Sequence, residues 1–267
     1  MDFAWHHCAF EQLVVDSRGT HPLSLGPIEA PAHAFLAALL SKTLEPASRL
    51  WILGGSARHR ERLAMELHGW QIDAVTLPDP PLEDFETQLA DPERDAERLT
   101  AFQRLREYPR DGSSAVALAS ADAFAHSAPS PEEFVASILS LQVGGQHDPD
   151  ELQKTLLAAG LEEVTQVHAR QQFACRGAIL DIFPVQAPAP LRFEFFDREL
   201  ESLREFDLDS QISIRRLDHA ELVLTPPSLD LHLADWFRDG DTVLALDEGI
   251  EDADIVFTDD PTGKKSN

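Results

Sequence analysis

Catalysis calls for a nucleophile beside a base, a metal cage or a phosphate cradle; recognition calls for anchors that hold their shape while exposed. In this 267-residue chain no Ser, Cys or carboxylate stands in a recognisable nucleophile motif. His6-His7 with Cys8 lacks a second Cys or His pair at ligand spacing, and His21, His33, His59 and His68 are scattered, so neither a metal nor another cofactor is expected. Recognition chemistry is better represented. The densest feature is Phe173-Ala-Cys-Arg-Gly-Ala-Ile-Leu-Asp-Ile-Phe-Pro184, then Leu191-Arg-Phe-Glu-Phe-Phe196, Glu199 and Leu203-Arg-Glu-Phe-Asp207 with Ser210-Gln211. In it Arg176 and Arg192 offer planar donor forks suited to carboxylates and Phe196 an aromatic anchor, residue types enriched at binding hot spots. Two arrangements are open. The arginines pair with Asp181 or Glu194 across a sheet while Phe196 is core, or all three face outward as a small positive patch. Alternation puts Phe193 and Phe195 on one face and Arg192, Glu194 and Phe196 on the other, so Phe196 sides with the arginine.

The elements that carry these residues are short, turn-bounded and rich in β-formers: Val164–Val167, Phe173–Arg176, Ala178–Phe183, Leu191–Phe196, Leu200–Phe206 and Ile212–Leu217, a predicted antiparallel meander. A helix over Glu151–Ala159 precedes them, started by Asp148-Pro149 and stopped by Gly160. The first part of the chain has another texture. Strand Leu23–Leu25, helix Pro31–Lys42, strand Leu50–Leu53, basic amphipathic helix Ala57–His68 and strand Val75–Leu77 follow in the order of a parallel sheet with right-handed crossovers. After Pro78–Pro81 and the acidic stretch Glu83–Glu97, a helix over Asp95–Tyr108, a buried strand Ala115–Ala119 and a Ser120-capped helix to Ala125 are predicted. Ser127–Pro131 crowds Ser and Pro together and marks a boundary. Past Pro226-Pro227, a helix over Leu229–Phe237, a break at Gly240 and a buried strand Val243–Leu246 resume the first texture.

A chain of this length with 43% hydrophobic residues can bury two cores. Lys+Arg of 22 against Asp+Glu of 47 leaves a net charge of −25, a field that repels phosphate backbones, so direct DNA binding is disfavoured. Cys8 and Cys175, the only cysteines, suggest no disulfide framework. Neither a secretory signal nor a membrane-length apolar run is present, and a cytoplasmic location is expected.

The Arg-Gly string running into Ile-Phe-Pro, followed by an Arg-containing strand ending in Phe-Phe, resembles domain 2 of UvrB and its counterpart in the bacterial transcription-repair coupling factors. Glu151–Val167 is similar to the helix and strand that open that domain, and Leu244-Ala-Leu-Asp-Glu-Gly249 to a later strand of domain 1b. The resemblance implies an α/β fold: a degenerate P-loop-like parallel-sheet domain 1a over 1–129, an inserted, mainly antiparallel domain 2 over 130–224, domain 1b over 225–260 returning to the first sheet, and a tail over 261–267. Domain 2 of the family docks UvrA, the damage-sensing ATPase of nucleotide excision repair, and Arg176, Arg192 and Phe196 match the residues that carry the contact. Departures are Gln171-Gln172 for the usual Gly-Glu, Leu161-Glu162 for a tyrosine-basic pair, and Arg198 where an acidic residue is common.

UvrB also has a phosphate loop, but here Gly26-Pro-Ile-Glu-Ala-Pro-Ala-His33 has no Lys, two prolines without donors, and Glu29 where phosphate would sit. Asp247-Glu248 resembles a Walker B end with no nucleotide to serve. Full-length members are ATP-dependent DNA translocases; this chain is expected to be non-catalytic. Its expected partner is UvrA, together with a motor or RNA polymerase-binding portion of a coupling factor in cis or in trans. The alternatives are an autoinhibitory module that masks the UvrA surface and, last, a UvrB-like ATP- or DNA-dependent enzyme. The polar stretch Thr258–Asn267 precedes any motor segment, which points to a short natural relative or to a piece of a longer coupling factor.

Overall fold

The computed structural model describes residues 23–25, 28, 30–44, 48–80, 92–108, 115–224, 231–246 and 255–257. The expectations for His6, His7, Cys8, His21, Gly26, Pro27, Glu29, Pro226-Pro227, Asp247-Glu248, the tail and most of the acidic stretch fall outside these residues. Backbone packing divides the chain into two units, Met1–Glu83 with Ala101–Ala128 and Leu231–Asn267, and Asp84–Thr100 with Pro129–Asp230.

In the first unit the chain runs β1 (Leu23–Leu25), α1 (Ala30–Thr43), β2 (Arg49–Leu53), α2 (Ala57–Gly69), β3 (Ala74–Thr76), α3 (Pro92–Glu107, whose first turns belong to the second unit), β4 (Ala115–Ala119), α4 (Ala121–Ala125) and β5 (Ser127–Ala128). β2 and β4 are buried at every position, the pattern of strands covered on both faces. α2 starts where Ser56 accepts from the His59 N–H, and buries Leu63 and Leu67 as its periodicity predicts. α4 starts likewise, with the Ala123 N–H donating to Ser120 Oγ at 3.0 Å.

The second unit begins with α5 (Pro131–Ala136), β6 (Ile138–Gln142), α6 (Pro149–Ala158) and β7 (Glu162–Glu163). β8 (Gln172–Arg176), β9 (Ile179–Phe183), β10 (Leu191–Phe196), β11 (Glu199–Phe206) and β12 (Ser213–Leu217) form the antiparallel meander, and β13 (His219–Val223) turns back to pair with β6. The sheet order is β12-β11-β10-β9-β8-β7, with only β7 joined in parallel. One face buries Phe173, Leu180, Ile182, Leu191, Phe193, Phe195, Leu200 and Leu203, and Leu152 and Leu156 of α6 join the same core. Thr100 Oγ1 donates to Ala96 O at 2.7 Å and lies 3.2 Å from Gln186 O, a contact within this unit.

The chain then re-enters the first unit as β14 (Leu231–His232), a 3-10 turn over Leu233–Trp236, β15 (Thr242–Ala245) and β16 (Ile255–Phe257). The six-stranded sheet reads β1-β16-β15-β2-β4-β3, and every pairing in it is parallel. Both strands separating β1 from β2 therefore come from the returning segment. Buried Arg49 secures that return: Nε and a terminal nitrogen donate to Asp241 Oδ2 at 2.9 and 2.7 Å, its backbone N–H to Oδ1, and it also reaches Trp236 O. Trp51 Nε1 donates to the same carboxylate at 2.9 Å.

Three expectations need correction. Val164–Val167 is not a strand; the pairing falls on Glu162–Glu163, while Val164 and Val167 pack against Ala174 and Phe183. Leu229–Phe237 is not an α-helix. Leu231–His232 is committed to β-pairing with Ser127–Ala128, which leaves room for a single 3-10 turn. Third, Ser127–Pro131 is not only a boundary: Ser130 and Glu133 form a capping box with Pro131 in the first turn of α5.

At the head of α1, buried His33 donates from Nε2 to Ile28 O (3.0 Å), and its Nδ1 lies 3.1 Å from His59 Nε2. Arg62 stands 3.2 Å from His59 Nδ1. One tautomer pair satisfies all three contacts, a one-way donor chain Arg62 to His59 to His33 to Ile28, with both rings neutral. Burial lowers the His33 pKa from its ordinary 6.5, Arg62 lowers it further, and the Ile28 hydrogen bond and Glu66 oppose the shift. The unfolded chain thus takes up this proton first; the pair's contribution is complete above about pH 6.5 and is lost as pH falls. Thermal midpoints should drop between about pH 8 and 5.5, and less steeply in His33→Gln; identical pH profiles would refute the chain. Separately, Asp241→Ala strands a buried guanidinium and should cost about 3–5 kcal/mol in urea unfolding.

Candidate functional site

The site is assembled on β8, β9 and β10. Gly177 (φ +61) and Ala178 turn β8 into β9, so Arg176 stands opposite Ile179 at the hairpin end. Asp181 stands opposite both Ala174 on β8 and Arg192 on β10, and directly opposed residues share a face. The Asp181 side chain is 1% exposed, a costly place for a carboxylate without partners. It has them: Arg192 Nε donates to Oδ1 at 2.7 Å and its Nη2 to Oδ2 at 2.9 Å, and Arg176 donates to Oδ2 from the other side.

Arg192 is further constrained. Its guanidinium lies 4.5 Å from the Phe206 ring centroid, and its nitrogens approach the Gln211 carbonyl and side-chain oxygens, both at 3.4 Å. The Asp181 hydrogen bond raises its pKa against the opposing effect of burial, so the positive charge is fixed. Arg176 keeps 47% of its side chain exposed and Arg192 16%. Phe196 is 71% exposed, while Phe193 and Phe195 on the opposite alternation are buried.

Each of the two arrangements open from sequence is thus half realised. The arginines do pair across the sheet, both on Asp181; Glu194 instead takes Arg204 (2.7 Å) and Ser202 (2.6 Å). Phe196 is not core; four residues along β10 from Arg192, it stands roughly 13 Å away. Sequence reasoning gave no role to Phe206 or Gln211 in fixing Arg192, although both lie in the strings quoted for the resemblance.

Other candidates for chemistry are quieter. Cys175 is exposed and unpaired, but desolvation raises its pKa and Glu163, Asp150 and Asp181 add to the rise, so it is not a thiolate nucleophile at neutral pH. No group of three or more metal-ligating side chains occurs among the described residues. No helix among them is long and apolar enough to cross a membrane. The turn before β8 has Gln171 at φ 63, in the left-handed region that favours glycine.

Residues 139–226, which hold this whole arrangement, match the family described as the UvrB interaction domain. The chain is 36% identical over 132 residues to the transcription-repair-coupling factor of Bacillus subtilis, covering 49% of this chain and 11% of that protein. It is 39% identical over 85 residues to that of Escherichia coli K12, covering 32% and 7%, and 32% identical over 219 residues to that of Mycobacterium tuberculosis, covering 80% and 17%. The chain therefore spans less than a fifth of the length of these relatives. The similarity is thus to the UvrB interaction domain over residues 139–226 and, over a wider part of the chain, to a segment of the bacterial transcription-repair-coupling factors.

Proposed function

We propose that this chain is a cytoplasmic, non-catalytic docking module of nucleotide excision repair that receives UvrA on its second unit, through Arg176, Arg192 and Phe196. The observation that carries the reading is the pairing of two arginines fixed by one buried carboxylate with a phenylalanine left 71% exposed on the same strand as one of them. Burying such a ring on a partner removes its apolar surface from water, and the exposed part of the Arg176 fork supplies a charge-assisted contact beside it. The first unit, in this reading, is a degenerate P-loop-like scaffold (1–129 with 225–260) around the inserted 130–224. Support comes from the His33–His59 pair at the head of α1, where a nucleotide-binding chain would present a Lys and free backbone donors.

The decisive measurement is UvrA binding to the parent and to a chain carrying Arg176→Ala, Arg192→Ala and Phe196→Ala. The single changes Arg176→Ala and Phe196→Ala should each cost about 2 kcal/mol in binding, roughly thirtyfold in Kd; Phe196→Ala should keep the parent's melting temperature, while Arg176→Ala should lower it by less than Arg192→Ala, since it removes one of the three hydrogen bonds to Asp181 and Arg192 supplies two. Arg192→Ala should weaken binding and also destabilise the fold, because it leaves Asp181 buried with one partner. A triple variant that binds UvrA as tightly as the parent would remove the assignment.

A further inference from the structure

The outer face of the antiparallel sheet carries more cation than three docking residues account for. One row of directly opposed residues runs Ala174, Asp181, Arg192, Arg204 and Arg216 from β8 to β12. Three arginines thus stand abreast on β10, β11 and β12, and like charges so placed repel. The neighbouring row holds Arg176, Ile179, Glu194 and Ser202. Four guanidiniums share these rows with two carboxylates, and both carboxylates are already engaged: Asp181 by Arg176 and Arg192, Glu194 by Arg204. Arg216 is exposed and has no ion pair among the described residues.

A solvated cation on a sheet edge has an ordinary explanation, since edge strands often carry charge that discourages pairing with other chains. The apolar neighbours do not fit it. In this unit the most exposed large apolar side chains are Phe196 at 71%, Ile212 at 68% and Ile214 at 60%. Two of the three lie within four residues of Arg216, and the β11–β12 register slips there, with Glu205 opposite Arg215 but Phe206 opposite Ser213, leaving Ile214 as the extra residue of a bulge. Bulges re-aim side chains. The patch is also continuous with the docking residues, because Ile212 directly follows Gln211, the residue whose oxygens Arg192 approaches.

We propose that the docking surface continues from Arg176, Arg192 and Phe196 across β11 to Arg216, Ile212 and Ile214, and that its occupant is the same partner polypeptide, presenting a carboxylate to Arg216 and an apolar side chain to the isoleucines. This rests on the docking reading above. Charge complementarity favours that occupant over a second copy of this chain: a net charge of −25 opposes self-association, while a local excess of arginine on that background attracts an acidic segment of another protein.

The test titrates UvrA against the full chain carrying Arg216→Glu, the pair Ile212→Ser and Ile214→Ser, or Arg176→Ala as a reference. The first two should each weaken binding by about tenfold, with the Arg216→Glu loss shrinking as salt rises, while thermal midpoints stay at the parent's value. Should either melt early, Arg216→Ala and Ile214→Ala replace it and should weaken binding in the same direction. Parent-like binding by both patch variants while Arg176→Ala loses affinity would overturn the extension and leave the docking reading standing. Parent-like binding by all three would overturn both. A concentration-dependent dimer of the chain alone, abolished by the two serines, would assign the patch to self-association instead.

Discussion

One buried carboxylate organises the outer face of the antiparallel sheet. Asp181 is deprived of water on β9 and recovers its hydrogen bonds from two arginines that come from different strands. The arrangement couples stability to presentation. Removing the acid would leave two cations facing each other on a sheet whose next strand adds Arg204. Keeping it fixes the Arg192 fork against Phe206 and Gln211 and tethers Arg176 by one nitrogen. Under the proposed function a partner would meet cations already ordered, so less side-chain freedom would be lost on association.

The two faces of the meander divide this work. Phenylalanine and leucine on the inner face hold the sheet to α6 and to β6 and β13, and the alternation that buries Phe193 and Phe195 is the one that leaves Phe196 in water. An exposed ring needs no strain to stay exposed here, because the Asp197-Arg198 turn ends the strand one residue later. The first unit is built on the opposite principle. Its strands β2, β4 and β15 are buried at every position, and its polar pairs sit in or at the edge of the interior, Arg49 with Asp241 and buried His33 with half-buried His59.

Legibility in the sequence followed from how local each constraint is. Leu50–Leu53, Ala115–Ala119 and Val243–Leu246 announced themselves because a strand buried on both faces reads as an uninterrupted apolar run. The helix ends at Ser56, Ser120 and Gly160 were equally readable, since caps depend on neighbours in the chain. β6 and β13 were not, because Leu139 and Leu141 acquire a strand's role only by pairing with Leu222 and Ala220, some 80 residues away. At the site, residue types and alternation were readable for Phe196. The choice between Asp181 and Glu194 as counter-ion was not, because it turns on the register of β9 against β10, which sets Asp181 opposite Arg192.

β1 and β2 become part of one sheet only through β15 and β16, whose residues come about two hundred positions later in the chain. On a ribosome adding roughly 5–20 residues per second, the early half-sheet waits on the order of 10–40 s for its missing strands. The second unit is complete in sequence at Asp230, some 12 residues before β15 begins at Thr242, and its meander pairs neighbouring segments, which favours early folding. Until β15 and β16 arrive, the edges of the early strands stay open, the period in which pairing with another chain threatens them most.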